Sequence, residues 1–391
     1  MGSPRSRPVT VMHIIARMNV GGPAVEITEL MRGLDPEIVS QRLVTGYCDE
    51  DEADFLDTQA TDIEATRIKG LGRSLRPTED LRAFFELVRF IRHFKPDVVH
   101  THTAKAGLLG RIAARVSGTG CKIIHTYHGH LLHGYFSPIK AQFMLRVERM
   151  LARITNRFIA VGGRVRDDLI HAGVGVPDQF EVIRFGPRMR DPIAREDARM
   201  QLGFGSSDLV VAVVGRIVQI KRPDRLVDVM RLVRDEVPNA CFAIAGGGHL
   251  AEDLQECIDR EGLPAVMLGW QDDVSLVLAA SDVYLMVSDN EGMPVSVLEA
   301  AASGLPIVST RVGSIDEVVE DGVSGLLTAP NVPAIGQALV SLLADEQKRT
   351  SFGIAGRSHV HAKFDPAIFL VEHQDCYLSV HHELAGHSRT G

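Results

Sequence analysis

The sequence predicts an α/β protein made of two Rossmann-like domains, each built on a parallel sheet. Three observations lead there. Short β-branched apolar runs alternate with longer amphipathic stretches from end to end, the pattern of repeated strand–helix–strand units. A length of 391 residues suits two or three domains, and either half alone can bury a sizeable core. The alternation breaks once, at Arg184–Ser207, where two prolines and three glycines interrupt it before a new apolar strand begins. We read that stretch as a linker. It sets the first domain at residues 9–186 and the second at 190–365, with the tail 366–391 expected to pack back onto the first.

The elements follow in order. Val9–Ala16 is the first strand, and it is too short and polar for a signal segment. Arg17-Met-Asn-Val-Gly-Gly-Pro23 comes directly after it: two glycines let the backbone turn tightly, and Pro23 suits the start of a helix whose N-terminus favours an anion. A structural turn accounts for the same residues. A strand-like segment leads to a loop at Gly70-Leu71-Gly72, and the spacing over Glu79–Phe94 predicts an amphipathic helix whose apolar face is mostly core. Strands are expected at Val98–Thr101, Ile123–Thr126 and Phe158–Val161, with a helix over Ala141–Thr155. In the second half, strands at Leu209–Val214, Cys241–Ala245, Val283–Val287 and Pro306–Ser309 alternate with helices such as Arg222–Glu236. The halves echo each other: Asp97-Val-Val-His-Thr-His leads into a small-residue helix ending near Gly118, and Asp282-Val-Tyr-Leu-Met-Val into one ending at Gly304.

Composition narrows the class. The chain is 45% hydrophobic and 24% charged, an ordinary globular balance, and no apolar run approaches the ~18 residues of a membrane span. Five cysteines with no CxxC spacing fit a reduced, cytoplasmic chain and not a disulfide framework or zinc ribbon. The net charge of −8 conceals an asymmetry. Residues 1–190 hold 27 Lys+Arg and 21 Asp+Glu, net +6; the remainder holds 15 and 29, net −14. The first half is therefore the candidate for an anionic membrane surface or acceptor. A nucleic-acid partner is not expected.

Four places could carry chemistry. Besides the Gly21-Gly22 loop, Arg216 and Lys221 lie just after the first strand of the acidic half. Ligands gather at such strand ends, and two cations there suit a diphosphate, although a solvated basic loop explains them too. Glu291-Gly-Met-Pro-Val-Ser-Val-Leu-Glu299 puts one carboxylate ahead of a helix begun at Pro294 and another inside it, placed to accept from sugar and ribose hydroxyls. Compensation of a helix dipole is the plainer explanation of one such glutamate. Finally, His125, His128, His130 and His133 cluster, with His100 and His102 upstream. No HExxH occurs and no acidic residue lies between Ile123 and Ile139, so one histidine at a strand end fits better than a metal centre.

Together these features resemble glycosyltransferase family 4, the retaining sugar-nucleotide transferases of the GT-B fold, a resemblance that implies two Rossmann-like domains with parallel sheets facing a central cleft. The similarity runs from Val9 to about Phe364, carried by the Glu-seven-residues-Glu motif, AAASGLPIVST, Gly313…Glu317…Gly322-Val-Ser-Gly325, Gly215-Arg216…Lys221, Leu268-Gly269-Trp270, Gly21-Gly22 and Thr126-Tyr-His128-Gly129. The resemblance implies that the Gly22 N–H meets the donor diphosphate and that Arg216 and Lys221 neutralise it as it leaves. It implies that Glu291 and the Gly292, Met293 and Pro294 backbone hold the transferred sugar, that Glu299 binds the ribose, and that His128 reaches the sugar. The base is expected against the backbone of Leu268 to Trp270. No divalent metal or other cofactor is implied. The family's usual Asn-Gly pair at the domain junction is replaced by Arg184-Phe185-Gly186-Pro187. The expected activity is hexosyl transfer from a nucleotide-diphosphate sugar, UDP favoured over GDP by family frequency, to a lipid-linked or other anionic acceptor in cell-surface glycan or glycolipid synthesis. A peripheral position on the inner face of the cell membrane fits that reading. The alternatives are a GT-B sugar-nucleotide epimerase and transfer to a small soluble acceptor.

Overall fold

The computed structural model describes residues 7–49, 52–74, 76–129, 138–188 and 192–387. The chain divides into two compact units, Met1–Arg184 with Ala367–Gly391, and Phe185–Pro366.

The first unit holds a seven-stranded sheet made of β1 (Val9–Ile15), β2 (Val39–Thr45), β3 (Ala65–Arg67), β4 (Val98–His102), β5 (Lys122–Tyr127), β6 (Arg157–Ala160) and β7 (Phe180–Val182). The strands lie in the order β3-β2-β1-β4-β5-β6-β7, all parallel. Successive side chains of a strand point to opposite faces, and that alternation sorts the unit. Met12, Ile14, Val99 and Ile123 meet the helices Pro77–Phe94 and Ala104–Ser117 on one face. On the other, Ile15 and Leu43 pack with Ala24 and Ile27 of the helix Gly22–Gly33. His13, His100 and His102 share this second face, since His13 pairs with His100, and Ile15 with His102. The C-terminal helix Pro366–His387 lies over it too: Leu370 abuts Gly33, and Tyr377 reaches His100.

The second unit holds six parallel strands, β8 (Leu209–Val214), β9 (Ala240–Ala245), β10 (Ala265–Gly269), β11 (Val283–Met286), β12 (Ile307–Thr310) and β13 (Gly325–Thr328), in the order β10-β9-β8-β11-β12-β13. Val211, Phe242, Ile244, Val283, Leu285 and Val308 pack with the helices Pro223–Glu236 and Val332–Leu343. Fully burying each large aliphatic side chain contributes ~1.5–3 kcal/mol. In each unit the order reverses at one strand, β1 or β8, and the loops leaving the carboxyl ends on either side of that reversal are where ligands settle.

The echo between the halves is structural. Asp97, just before β4, accepts from the Thr10 N–H at 2.9 Å and from Arg7 at 2.6 Å. Asp282, just before β11, accepts from the Val210 N–H at 2.7 Å and from Arg199 at 2.7 Å, with Arg195 against its other oxygen. Burial alone would raise the Asp97 carboxyl; the bonds from Arg7 and Thr10 outweigh it and hold it at about 2.

One expectation changes. The stretch Arg184–Ser207 is not linker throughout, because Arg195–Leu202 is a helix. Glu196 and Asp197 favour its first turn, Gly203 closes it, and Arg199 is buried against the carbonyls of Ala280, Gly205, Ser206 and Asp208. On the helix Pro77–Phe94 the apolar face is mostly core, as expected: Ala83, Leu87, Val88 and Ile91 are buried and Phe84 and Phe90 pack against them, while Leu81 and Phe85 are exposed.

Candidate functional site

In the second unit, the carboxyl ends of β8, β9 and β10 meet backbone to backbone. The Ile217 N–H donates to the Gly247 carbonyl at 2.7 Å and the Gly246 N–H to that of Gly269 at 2.7 Å. A Cβ on Gly246 would stand 2.0 Å from the Gly215 carbonyl oxygen, so only glycine allows this approach. Trp270 leaves the same edge with its indole against Gly247 and two-fifths of the residue exposed. The Leu268 carbonyl accepts from the Gln271 amide at 2.6 Å, which fixes the backbone beside it.

Lys221 and Glu291 come together here, although 70 residues separate them: Lys221 Nζ donates to Glu291 Oε1 at 2.5 Å. Their loops are tied by Asp289, which pairs with Arg222 at 3.0 Å and Arg225 at 2.6 Å and whose N–H donates to the Ile220 carbonyl at 2.9 Å. On the far side, the Ser314 N–H donates to the Gly292 carbonyl, and Gly313 (φ +56°) sits where a Cβ would be 2.1 Å from the Glu291 carbonyl. Arg216 is half-buried, and its guanidinium has no ion-pair partner among the described residues. Pro294 caps the helix Val295–Ala302, with Glu299 inside it and half-buried. Met293 directs its side chain into the core, so its backbone is what borders the loop.

Beneath these groups lies a residue that sequence reasoning missed. Tyr284 of β11 is buried, donates to the Val214 carbonyl at 3.1 Å and accepts from the Ser296 hydroxyl at 2.7 Å. It therefore joins the end of β8, next to Gly215-Arg216, to the helix bearing Glu299. Burial above all, together with the nearby Glu291 and Glu299 charges, pushes its phenol up and keeps it a neutral donor. A tyrosine in a strand buried at every position was the available signal, because its hydroxyl must find partners.

In the first unit, Gly21 precedes the helix Gly22–Gly33. The Gly22 N–H opens that helix, one of the amides no intrahelical carbonyl can accept from. Arg17, in the loop before it, is taken up by Glu52 at 2.6 Å. His128 follows β5 and is half-buried. Its Nδ1 lies 3.1 Å from Glu26 Oε2, close in distance but off the line of a hydrogen bond, and its Nε2 lies 3.1 Å from His102 Nδ1. The network continues inward: His102 Nε2 is 3.2 Å from His13 Nδ1, and His13 Nε2 is 3.1 Å from Gln41 Oε1. His100 is held by Tyr377 at 2.8 Å and Thr126 at 2.7 Å, and His125, on the opposite face, by Thr101 at 2.9 Å. Burial lowers these imidazoles, His13 to about 4 and His373 to about 3, with His100, His102 and His125 well below their ordinary value.

His13, His100 and His102 bring ring nitrogens within 4.8 Å of one another. All six nitrogens already have protein partners, so a cation there would displace hydrogen bonds in a dry interior. His130 and His133 lie outside the described residues. Arg216, Lys221, Glu291, Gly292, Met293, Pro294, Glu299, Leu268 and Trp270 belong to the second unit, Gly22 and His128 to the first.

Residues 20–186 match the family described as Glycosyltransferase Family 4, and residues 194–359 that described as Glycosyl transferases group 1. The UDP-Gal:alpha-D-GlcNAc-diphosphoundecaprenol alpha-1,3-galactosyltransferase of Escherichia coli is 28% identical over 311 residues, 75% of this chain and 77% of that one. The GDP-mannose-dependent alpha-(1-6)-phosphatidylinositol monomannoside mannosyltransferase of Mycolicibacterium smegmatis is 30% identical over 278 residues, 65% and 69% of the two chains. Anabaena HepE, solved in complex with UDP and glucose, superposes with a TM-score of 0.79 at 21% identity, covering 94% of this chain and 99% of its own. Two parallel α/β units in this order, together with those likenesses, fix the assignment: the chain belongs to glycosyltransferase family 4 and is a glycosyltransferase of the GT-B fold.

Proposed function

We propose that this enzyme moves a hexosyl unit from a nucleotide-diphosphate sugar, UDP in preference to GDP, to an acceptor hydroxyl with retention at the anomeric carbon. The observation that carries the reading is the Lys221–Glu291 pair, set where β8 and β11 end on either side of the sheet reversal. There Lys221 and Arg216, which has no ion-pair partner among the described residues, oppose the charge that builds on a departing diphosphate, the work a divalent metal does elsewhere. Glu291 and the Gly292–Pro294 backbone hold the sugar, Glu299 the ribose, the Leu268–Trp270 edge the base, and His128 with the Gly22 N–H completes the donor contacts. The C–O bond to phosphate breaks as the acceptor oxygen bonds the same face of the sugar, and the acceptor proton passes to the leaving phosphate oxygen. No side-chain base is then required.

The acceptor is lipid-linked, and the enzyme works against the inner leaflet. The two curated relatives name a diphosphoundecaprenol-linked sugar and a phosphatidylinositol mannoside as acceptors, which supports this. No helix among the described residues is long and apolar enough to cross a membrane. Arg67, Lys69, Arg73, Arg76 and Arg82 make the loop around Gly70 basic, but it is a weak candidate surface, because Arg67 pairs with Asp54, and Arg76 and Arg82 with Glu79 and Glu86. The helix Pro138–Ala152 is a better one: Ile139, Phe143 and Met150 are 83%, 64% and 66% exposed, among exposed Lys140, Arg146 and Arg149. Such a face suits an anionic leaflet.

A thermal-shift panel of UDP-, GDP- and ADP-sugars tests the donor, since ligand at 100 times its dissociation constant adds ~2.7 kcal/mol. UDP-sugars are expected to stabilise most, with turnover persisting in excess EDTA and the product keeping the donor's anomeric configuration. Isomerised sugar from donor alone, or activity abolished by EDTA and restored by Mn²⁺, would refute the reading.

A further inference from the structure

The histidine chain in the first unit has a direction, and it is set at its buried end. Gln41 Nε2 donates to the Leu30 carbonyl at 2.9 Å, which turns Gln41 Oε1, an acceptor only, toward His13. His13 Nε2 must therefore carry a proton. Because burial keeps His13 neutral, its Nδ1 is bare and accepts from His102 Nε2. His102 is neutral for the same reason, so its Nδ1 accepts from His128 Nε2. Each imidazole passes on the same polarity, and His128 Nε2 is committed inward as a donor.

A second constraint meets this one from the opposite side. Glu26, on the helix Gly22–Gly33, is only 6% exposed, and His128 Nδ1 lies 3.1 Å from its Oε2. With Nε2–H pinned by His102, Nδ1 is the nitrogen left to face that side. The other titratable groups nearby are His100 on β4, His125 on β5, and His373 and Tyr377 on the C-terminal helix; each is buried, with His100 bonded to Tyr377 and Thr126, His125 to Thr101, and His373 to the Phe369 carbonyl. None of them competes for His128.

We propose that Gln41, acting through His13 and His102, fixes the His128 ring with its Nε2–H committed inward, so that Nδ1 is the nitrogen His128 offers to the site. Gln41, His13 and His102 are positioning residues. The contact between Nδ1 and Glu26 is off-line, which leaves Nδ1 directed partly away from the carboxylate. The transferred sugar is then met through Nδ1 and not through Nε2, a step that rests on the assignment of His128 to that sugar.

Ring nitrogens report their own protonation in long-range ¹H–¹⁵N correlation spectra of the full chain labelled at histidine. His13 and His102 are expected as single neutral Nε2–H forms, and His128 with a proton on Nε2, with no need of turnover. An Nδ1–H form at His13 or His102, or a His128 protonated on Nδ1 alone, overturns the proposal. The Gln41→Met variant matches the side chain's length and lacks the acceptor. It is expected to mix the tautomers of His13 and His102 and to lower kcat by about 10- to 100-fold, with the KM for donor unchanged. Mixed tautomers with unchanged kcat overturn the link to catalysis. Full activity in His128→Ala instead defeats the site assignment while leaving the spectra as the test of the chain.

Discussion

The Lys221–Glu291 pair allows stability and chemistry to be separated by a double-mutant cycle. The partners are 23% and 12% exposed at 2.5 Å, between a surface pair worth ~0–1 kcal/mol and a fully buried one whose half-removal costs ~3–5 kcal/mol. Lys221→Met should therefore cost about 1–2 kcal/mol, because Glu291 is left without compensation in a loop fixed by Asp289, Arg225 and Gly313. Glu291→Gln alone strands the ammonium to a similar extent. In the double variant both charges are gone, and most of that loss should return, giving a coupling of about 1 kcal/mol or more by urea unfolding. Turnover should behave oppositely. Each single variant loses a group that acts on the reacting centre, about 10²–10³-fold, or ~2.7–4 kcal/mol at the transition state. Neutralising the second partner restores neither the cation opposite the diphosphate nor the acceptor for the sugar hydroxyls. Initial rates at saturating donor, measured beside the unfolding curves, decide the matter. A double variant that regains turnover along with stability would show that the pair is a structural clasp, and the donor-site assignment would fall.

Three other outcomes follow from the same geometry. His128→Ala should abolish transfer yet leave nucleotide affinity nearly intact by calorimetry, since the groups assigned to the nucleotide are in the second unit; an equal loss of UDP binding would contradict this. Asp97, held at about 2 against an ordinary 3.8, contributes stability that is present above about pH 4 and lost as pH falls toward 2. Asp97→Asn should flatten that acid slope in a urea series, and an unchanged slope would refute the role given to Arg7. Anionic vesicles should sediment the protein at low salt, neutral ones should not, and ~0.5 M salt should weaken the binding; the triple variant Ile139→Ser, Phe143→Ser, Met150→Ser should remain in the supernatant. Binding by that variant equal to the native chain's would move the surface elsewhere.

Much of this architecture was legible in one dimension because buried parallel strands are apolar at nearly every position. Leu209–Val214 and Phe158–Val161 announce themselves in that way. The strand Val39–Thr45 does not, since Gln41 and Arg42 interrupt it. Ala65–Arg67 and Phe180–Val182 are three residues long and carry no period. The helix Arg195–Leu202 hides behind Pro187 and Pro192, and its main anchor is a buried arginine rather than an apolar stripe. At the candidate site, the local motifs were visible: Glu291 to Glu299 is one loop and one helix. The partners that orient them were not. Tyr284 and Gln41 are ordinary residues in ordinary strands, and His13 lies 89 residues from His102 and 28 from Gln41. Only sheet order and strand phase bring them together.

That phase has a safeguard at the opposite end of each sheet. A parallel strand that slips by one residue turns every side chain over. For β4 this would send His100 and His102 among the aliphatic residues of the wrong layer and put a threonine in place of His102 beside His128. For β11 it would exchange Tyr284 for Val283 or Leu285 beneath the donor loops. Asp97 and Asp282 each grip one backbone N–H of the neighbouring strand and an arginine at once. A slipped strand would leave the carboxylate facing the wrong amide and its guanidinium without an anion. Each aspartate thus ties the register of its strand at the amino edge to the placement of the polar groups at the carboxyl edge.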